Sequence, residues 1–131
     1  MQPFFAPDDF LRQIVLIERN LFAVLADDCH SASIIKVFRQ REGSTQFEEI
    51  HCTQGVGMVM RLFLQVSGFH LLFETDDGMI HDLGDAKAPA TMAASATTRF
   101  SSRCSLIGFA NVENHVILSN ADSNFRMLYL A

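Results

Sequence analysis

The chain has 131 residues, of which 49% are hydrophobic and only 19% are charged. This length predicts a single domain, residues 1–131, that can bury a substantial core. The formal net charge of −5 argues against nucleic-acid binding, which requires a basic patch, and against binding to an anionic membrane surface. The high apolar content leaves two explanations open: a large core, or apolar surface that a partner or ligand covers.

The cysteines and the N-terminal sequence predict a cytoplasmic protein. Cys29, Cys52 and Cys104 are odd in number and widely spaced, which disfavours a disulfide framework and favours a reducing compartment. The first residues lack the basic region and the long apolar run of a secretory signal. The longest uncharged apolar run, around residues 62–73, is too short for a membrane helix.

The first predicted element is a helix over about residues 8–28. Pro7, Asp8 and Asp9 suit its start, because proline is tolerated in the first turn and acidic groups favour a helix N-terminus. The apolar surface is wider than a helix lying on one sheet needs, which predicts either a deeply buried helix or contact with a second subunit. The two apolar stripes consist of Phe10, Ile14, Ile17, Leu21 and Val24, and of Leu11, Val15, Phe22 and Leu25.

Two strands follow, over residues 33–40 and 47–53. Apolar side chains alternate with polar ones in parts of both, and Gly43 lies in the turn between them. A four-residue loop would place opposite charges across the pair, which stabilises such a ladder. The predicted pairs are Val37 with Ile50 and Arg39 with Glu48.

The register is clearest from Val56 to Leu83, which predicts three consecutive strands. Alternate residues over 56–66 form one wholly apolar face, and Ser67-Gly68 supplies a two-residue turn. The next turn, Asp76-Asp77-Gly78, is predicted to have three residues, with its glycine in the left-handed conformation. The predicted pairs are Leu64 with Leu71, Leu62 with Phe73, Arg61 with Glu74, Phe63 with Leu72, and Phe73 with His81.

These five strands predict a meander, in which each strand pairs with its neighbour in sequence. The connection over residues 84–103 is rich in small side chains and predicts a short helix at about 89–98 or a loop, with a ligand lid as the alternative. Strands resume over 104–112, 115–118 and 125–130. The last strand is apolar on both sides, which predicts a central position or a subunit interface.

Together these elements predict an α+β fold. A long N-terminal helix packs on a curved, mainly antiparallel meander sheet of about seven or eight strands. The high apolar content, the doubly apolar helix and the doubly apolar last strand predict a homodimer.

No motif specifies catalysis or a metal site, because the histidines lack zinc spacing and the paired carboxylates suit helix ends and turns. The candidate ligand-binding residues are His81, predicted opposite Phe73 on the apolar face, and His51, predicted near the apolar face that carries Met58. A histidine in an apolar pocket can ligate a metal or haem iron, although it more commonly hydrogen-bonds a backbone carbonyl.

The hairpin from Phe73 to His81 reads Phe-Glu-Thr-Asp-Asp-Gly-Met-Ile-His. It is similar to a hairpin of the bacterial cytoplasmic haem-trafficking proteins, and the resemblance covers this hairpin alone. The resemblance implies haem as the first ligand to test; the sequence leaves the cofactor unknown.

Three functions follow as hypotheses. The first is a non-enzymatic interaction module of a small cytoplasmic protein of bacterial type, which acts as a homodimer through apolar surface. The second is a carrier of a small hydrophobic ligand, such as haem, in a pocket between helix and sheet with His81 as the polar anchor. The third is an enzyme whose residues converge only in three dimensions, and it ranks last because no local motif supports it.

Overall fold

The described residues fold into three antiparallel sheets, each an up-and-down meander. The structure is a computed structural model that describes residues 3–99, 106–120 and 125–129. The first sheet contains β1 (Phe10–Glu18), β2 (Leu21–Asp27), β3 (Ser33–Gln40) and β4 (Phe47–Gln54). The second contains β5 (Val59–Gln65), β6 (His70–Thr75), β7 (Met79–Asp85) and β8 (Ser95–Arg99), and the third contains β9 (Leu106–Val112), β10 (His115–Asn120) and β11 (Phe125–Tyr129).

The predicted N-terminal helix is wrong, and with it the α+β fold class. Residues 10–27 form the β1–β2 hairpin, whose turn places Asn20 at a φ of +66°. Asparagine tolerates this left-handed conformation better than most residues do, so Arg19-Asn20 supports a tight hairpin turn. The first sheet carries apolar residues on both faces, and on a helical projection such strands give the same two apolar stripes as a broad helix face. Within the described residues, no helix is long and apolar enough to cross a membrane.

The predicted strand pairs of the second sheet are confirmed. Leu62 lies opposite Phe73, Arg61 opposite Glu74, and Phe73 opposite His81. Gly78 ends the three-residue turn between β6 and β7 with a φ of +80°. This register holds because a one-residue slip would move every apolar side chain to the other face.

The wholly apolar face predicted over residues 56–66 is wrong, because a register shift between Val59 and Arg61 places Val59 in the core and leaves Met58 and Met60 exposed. The two-residue Ser67-Gly68 turn is also wrong, since β5 ends at Gln65, β6 begins at His70, and Phe69 has the positive φ.

The β3–β4 register is confirmed in part. Arg39 lies opposite Glu48, as predicted, but Val37 lies opposite His51 instead of Ile50. The register shifts between Val37 and Phe38, so Ile50 is the extra residue of a bulge. Alternation of side chains alone does not reveal such an insertion.

The single wide meander is also wrong, because β4 and β5 lie in different sheets. The connection between them contains Gly55 and Gly57, which have φ values of +73° and +89°. Two left-handed residues so close together turn the chain out of the first sheet, so that the second sheet packs against its face. Their shared core contains Ile17, Leu21, Ala23, Leu25, Ile35 and Val37 from the first sheet, and Val59, Leu62, Leu64, Leu71, Phe73 and Leu83 from the second.

The second sheet is buried on both faces. Its other face packs against the third sheet and contributes Phe63, Leu72 and Ile80 to a second core, which Val116 and Leu118 complete. The sheets therefore stack in chain order, with the second in the middle.

The small-residue connection contains a strand, which the sequence did not predict. A 3₁₀ turn over Pro89–Thr91 precedes β8, and the Thr97 hydroxyl donates to the Ile80 carbonyl at 3.0 Å. The predicted helix over about 89–98 is therefore wrong, and residues 100–103 lie outside the described part of the chain. The C-terminal strands are confirmed, but β11 ends the described order β11-β10-β9 and is not central.

Side-chain amides join the three sheets at the outer edge of β5. Gln13, from β1, donates from Nε2 to the Leu62 carbonyl at 2.8 Å and accepts the Leu62 N–H on Oε1 at 2.8 Å. Asn111, from β9, donates to the Leu64 carbonyl at 3.0 Å and accepts the Val66 N–H at 2.9 Å. These amides therefore take the place that a neighbouring strand would occupy.

Arg12 extends this edge, because its guanidinium donates to the carbonyls of Val59 at 2.5 Å and Met60 at 3.1 Å. The same guanidinium forms a salt bridge with Asp27 at 3.2 Å. The side chains of Arg12 and Gln13 thus connect the first sheet to the second.

Replacing Gln13 with alanine should lower the free energy of unfolding by about 1–3 kcal/mol, since it leaves the Leu62 N–H and C=O without these partners. Equilibrium urea denaturation measures the change. Gln54→Ala is the matched control, because Gln54 is exposed and its side chain contacts only Cys52 among the described hydrogen bonds. Equal stability of the two variants would contradict a structural role for the Gln13 amide.

Candidate interaction surface

The first sheet exposes an apolar face on the side away from the second sheet. We call this the first outer face. Its exposed residues lie on β1, where Leu11 is 54% exposed, Ile14 67% and Leu16 69%. They face outward because the alternate residues of β1, Val15 and Ile17, point into the core. The face contains Leu11, Ile14, Leu16, Phe22, Val24, Phe38 and Phe47.

The N-terminal segment covers only part of this face. Phe4 packs edge-on against Phe38, with ring centroids 4.8 Å apart, and Phe22 stacks on Phe38 with ring centroids 5.5 Å apart. Lys36 holds the segment in place, since its Nζ donates to the Phe4 carbonyl at 2.6 Å and lies 5.0 Å from the Phe5 ring centre. The segment therefore buries the β3 side of the face and leaves β1 open.

An open pocket of about 210 Å³ lies between the N-terminal segment and β1. Its lining exposes no polar surface. Pockets for small ligands usually measure about 300–1,000 Å³ and carry a few polar groups that orient the ligand. This pocket therefore suits a single apolar side chain better than a cofactor. It is lined by Phe4, Phe5, Leu11, Ile14, Phe22, Val24, Phe38 and Phe47.

Charged residues of both signs surround the β1–β2 turn. They line a pocket of about 460 Å³, in which Lys87 and Glu18 lie 3.4 Å apart. The mixture of signs gives no strong preference for an anion or a cation. It resembles the polar rim that commonly surrounds an apolar protein interface. The charged residues of this pocket are Glu18, Arg19, Arg39, Arg41, Glu42, Glu48 and Lys87.

The structure brings two of the predicted ligand residues together. The rings of Phe73 and His81 stack with centroids 4.7 Å apart and planes within 5° of parallel. Phe73 is fully buried, and the Thr75 hydroxyl lies 3.2 Å from His81 Nε2. His81 is therefore a half-buried residue that already contacts an aromatic ring and a hydroxyl.

The other two predicted residues lie elsewhere. His51 is on β4, where its Nε2 contacts the Thr53 hydroxyl at 2.5 Å. Met58 lies in the connection before β5, is 41% exposed, and has a carbonyl that accepts the Asp76 N–H. The predicted pocket between helix and sheet has no counterpart, because residues 10–27 form strands.

Burial lowers the pKa of both histidines. For His51 the desolvation by surrounding groups dominates, and a hydrogen bond to the Pro89 carbonyl opposes it. For His81 desolvation again dominates, and the negative charge of Asp77 opposes it. Both histidines therefore favour the neutral form more than a histidine in water does.

Among the described residues, no group of three or more His, Cys, Asp or Glu side chains is arranged to hold a metal ion. Cys29 and Cys52 are free and exposed, and Cys104 lies outside the described residues. Ionisable contacts across strands include Lys36 with Glu49 at 2.8 Å and His70 with Asp82 at 2.9 Å. The apolar surface is thus the most distinctive feature of the described structure.

The sequence did not reveal this surface, because Leu11, Ile14 and Leu16 were placed on a helix. A usable signal was present: Arg19-Asn20 is a two-residue turn between two runs rich in strand-forming residues. Reading it as a hairpin would have placed the three residues on one strand face.

Comparisons with protein-family models and with curated protein sequences find no match to this chain. Its function must therefore be inferred from the surface itself.

Acidification should destabilise the fold through His51 and His81. Their folded pKa values lie below the ordinary value of 6.5, so the unfolded chain binds more protons as the pH falls through that value. This contribution to stability is present above pH 6.5, falls as the pH drops through it, and is fully lost below the folded pKa values. Urea denaturation from about pH 7.5 to about pH 5.5 measures the loss.

The His51→Gln/His81→Gln double variant is the control for this titration. It should show a weaker dependence of stability on pH than the unsubstituted protein. An unchanged dependence would mean that other groups cause the effect.

Proposed function

We propose that the protein is a non-enzymatic interaction module that works in the cytoplasm as a homodimer, through the first outer face. The observation that carries this proposal is the row of exposed side chains on β1, Leu11, Ile14 and Leu16, each more than half exposed. Single exposed apolar residues are ordinary on protein surfaces, but a contiguous apolar patch with a polar rim is typical of an interface.

The energetics favour covering this face. Burying one large aliphatic side chain that is exposed to water stabilises a complex by about 1.5–3 kcal/mol. Three such residues on one strand offer several kcal/mol before the entropy of association is subtracted. The apolar pocket beside Ile14 supplies a place for an anchoring side chain, which is a common feature of strong interfaces.

An enzyme is a weaker proposal for this chain. The charged pocket at the β1–β2 turn mixes both signs, and two of its charges, Glu18 and Lys87, pair with each other. A carrier of a small ligand is also weaker, because the apolar pocket is small and offers no polar anchor. His81, the proposed anchor, already stacks on Phe73.

The homodimer can be tested with Leu16→Glu. The unsubstituted protein should sediment as a dimer at micromolar concentration, and the variant should raise the dimer dissociation constant by at least about a hundredfold, because each of the two subunits loses one buried leucine. Analytical ultracentrifugation over a range of concentrations measures the constant.

Val66→Glu serves as the matched control, since Val66 is 53% exposed but lies beyond the end of β5, away from the first outer face. Native mass spectrometry of the same samples tests the carrier hypothesis, because a bound ligand adds mass that denaturation removes. A monomer throughout the micromolar range would overturn the proposed function.

A further inference from the structure

The third sheet exposes a second apolar face, on the side away from the second sheet. We call this the last outer face. Its register places Ile117 between Ala110 and Met127, and His115 between Val112 and Tyr129. Met127 is 58% exposed, Tyr129 59% and Val112 45%. The stack of three sheets therefore ends in an apolar face on both sides.

The two junctions inside the stack are built alike. At each junction, the apolar face of one sheet packs against the apolar face of the next. At each junction, too, a side-chain amide from the first strand of an outer sheet binds the outer edge of β5: Gln13 from β1 and Asn111 from β9. The first strands of all three sheets thus lie side by side, and the later strands extend away from them.

This is the arrangement of blades in a β-propeller, where up-and-down sheets stack around a common axis. Propellers close with four to eight blades, so the three described sheets leave the ring open at both end faces. Two copies of this chain would supply six sheets, which is within the closing range, and three copies would supply nine, which is outside it.

We infer that two copies pack head to tail, with the first outer face of each copy against the last outer face of the other. This inference rests on the homodimer proposed above and adds which two surfaces meet. The contact joins two different faces, so a two-fold axis that coincides with the central axis of the ring relates the two copies and closes the ring. Both new junctions would then continue the face-to-face packing already present between the sheets of one chain.

The distribution of exposed side chains supports this arrangement. On the first outer face, the N-terminal segment covers Phe38 on β3, while Ile14 and Leu16 on β1 stay exposed. β1 is the strand nearest the common axis, where the first strands of neighbouring sheets contact each other within the chain. The face is therefore open where a neighbouring sheet would approach it and covered farther out.

A pair of oppositely charged variants distinguishes this packing from other dimers. Ile14→Glu places a negative charge on β1 in the first outer face, and Val112→Lys places a positive charge on β9 in the last outer face, so both charges lie on strands near the common axis. In a head-to-tail ring, each variant alone should weaken dimerisation at least about tenfold, because each buries a charge at both junctions. Mixing the two should restore a dimer, since one junction is then unsubstituted and the other pairs Glu with Lys.

Analytical ultracentrifugation of each variant and of the equimolar mixture gives the result, with Val66→Glu as the unaffected control. Ile14 is 67% exposed and Val112 45%, so far-UV circular dichroism melting should show intact folding.

A dimer that Ile14→Glu breaks and Val112→Lys leaves intact would overturn the head-to-tail packing while sustaining the proposed function. Failure of the mixture to associate would also overturn it. A monomeric unsubstituted chain would refute both proposals.

Discussion

The arrangement of the molecule depends on how the outer edge of β5 is satisfied. A strand at the edge of a sheet presents unpaired N–H and C=O groups, which are costly when they are removed from water. Here the amides of Gln13 and Asn111 bind those groups, each by one donated and one accepted hydrogen bond. No strand is added, so the sheets stay separate while their first strands are held together.

This constraint determines which surfaces are buried. Because β1 and β9 both approach β5, the first and third sheets lie on opposite faces of the second. The second sheet is therefore apolar on both faces and contributes Phe63 to one core and Phe73 to the other. The end sheets bury one face each, and their remaining faces keep the same apolar character. The apolar surface thus follows from the stacking of otherwise similar sheets.

The sequence specified local pairing better than global arrangement. Pairs such as Leu62 with Phe73 could be predicted because short turns and strict alternation leave one register. The pattern of apolar residues alone could not separate the first hairpin from a helix, since strands apolar on both faces resemble a broad helical stripe; only the Arg19-Asn20 turn distinguishes the two. The role of Gln13 was hidden for a different reason. A polar residue beside apolar ones normally indicates the solvent-facing side of an element. The hydrogen-bond partner of Gln13 is Leu62, which lies 49 residues later in the chain, so the local sequence does not indicate the contact. The candidate ligand site likewise required a pocket that only the absent helix would have formed.

The position of Asn111 has a consequence for biosynthesis. It lies 47 residues after Leu64, whose carbonyl it binds, so the ribosome must add the three further strands of the second sheet, and then most of β9, before that contact can form. Hairpins form within microseconds, whereas translation adds only about 5–20 residues per second. A nascent chain therefore holds a paired second sheet with one bare edge and one bare face for seconds. That interval is when a chaperone would have the most to protect.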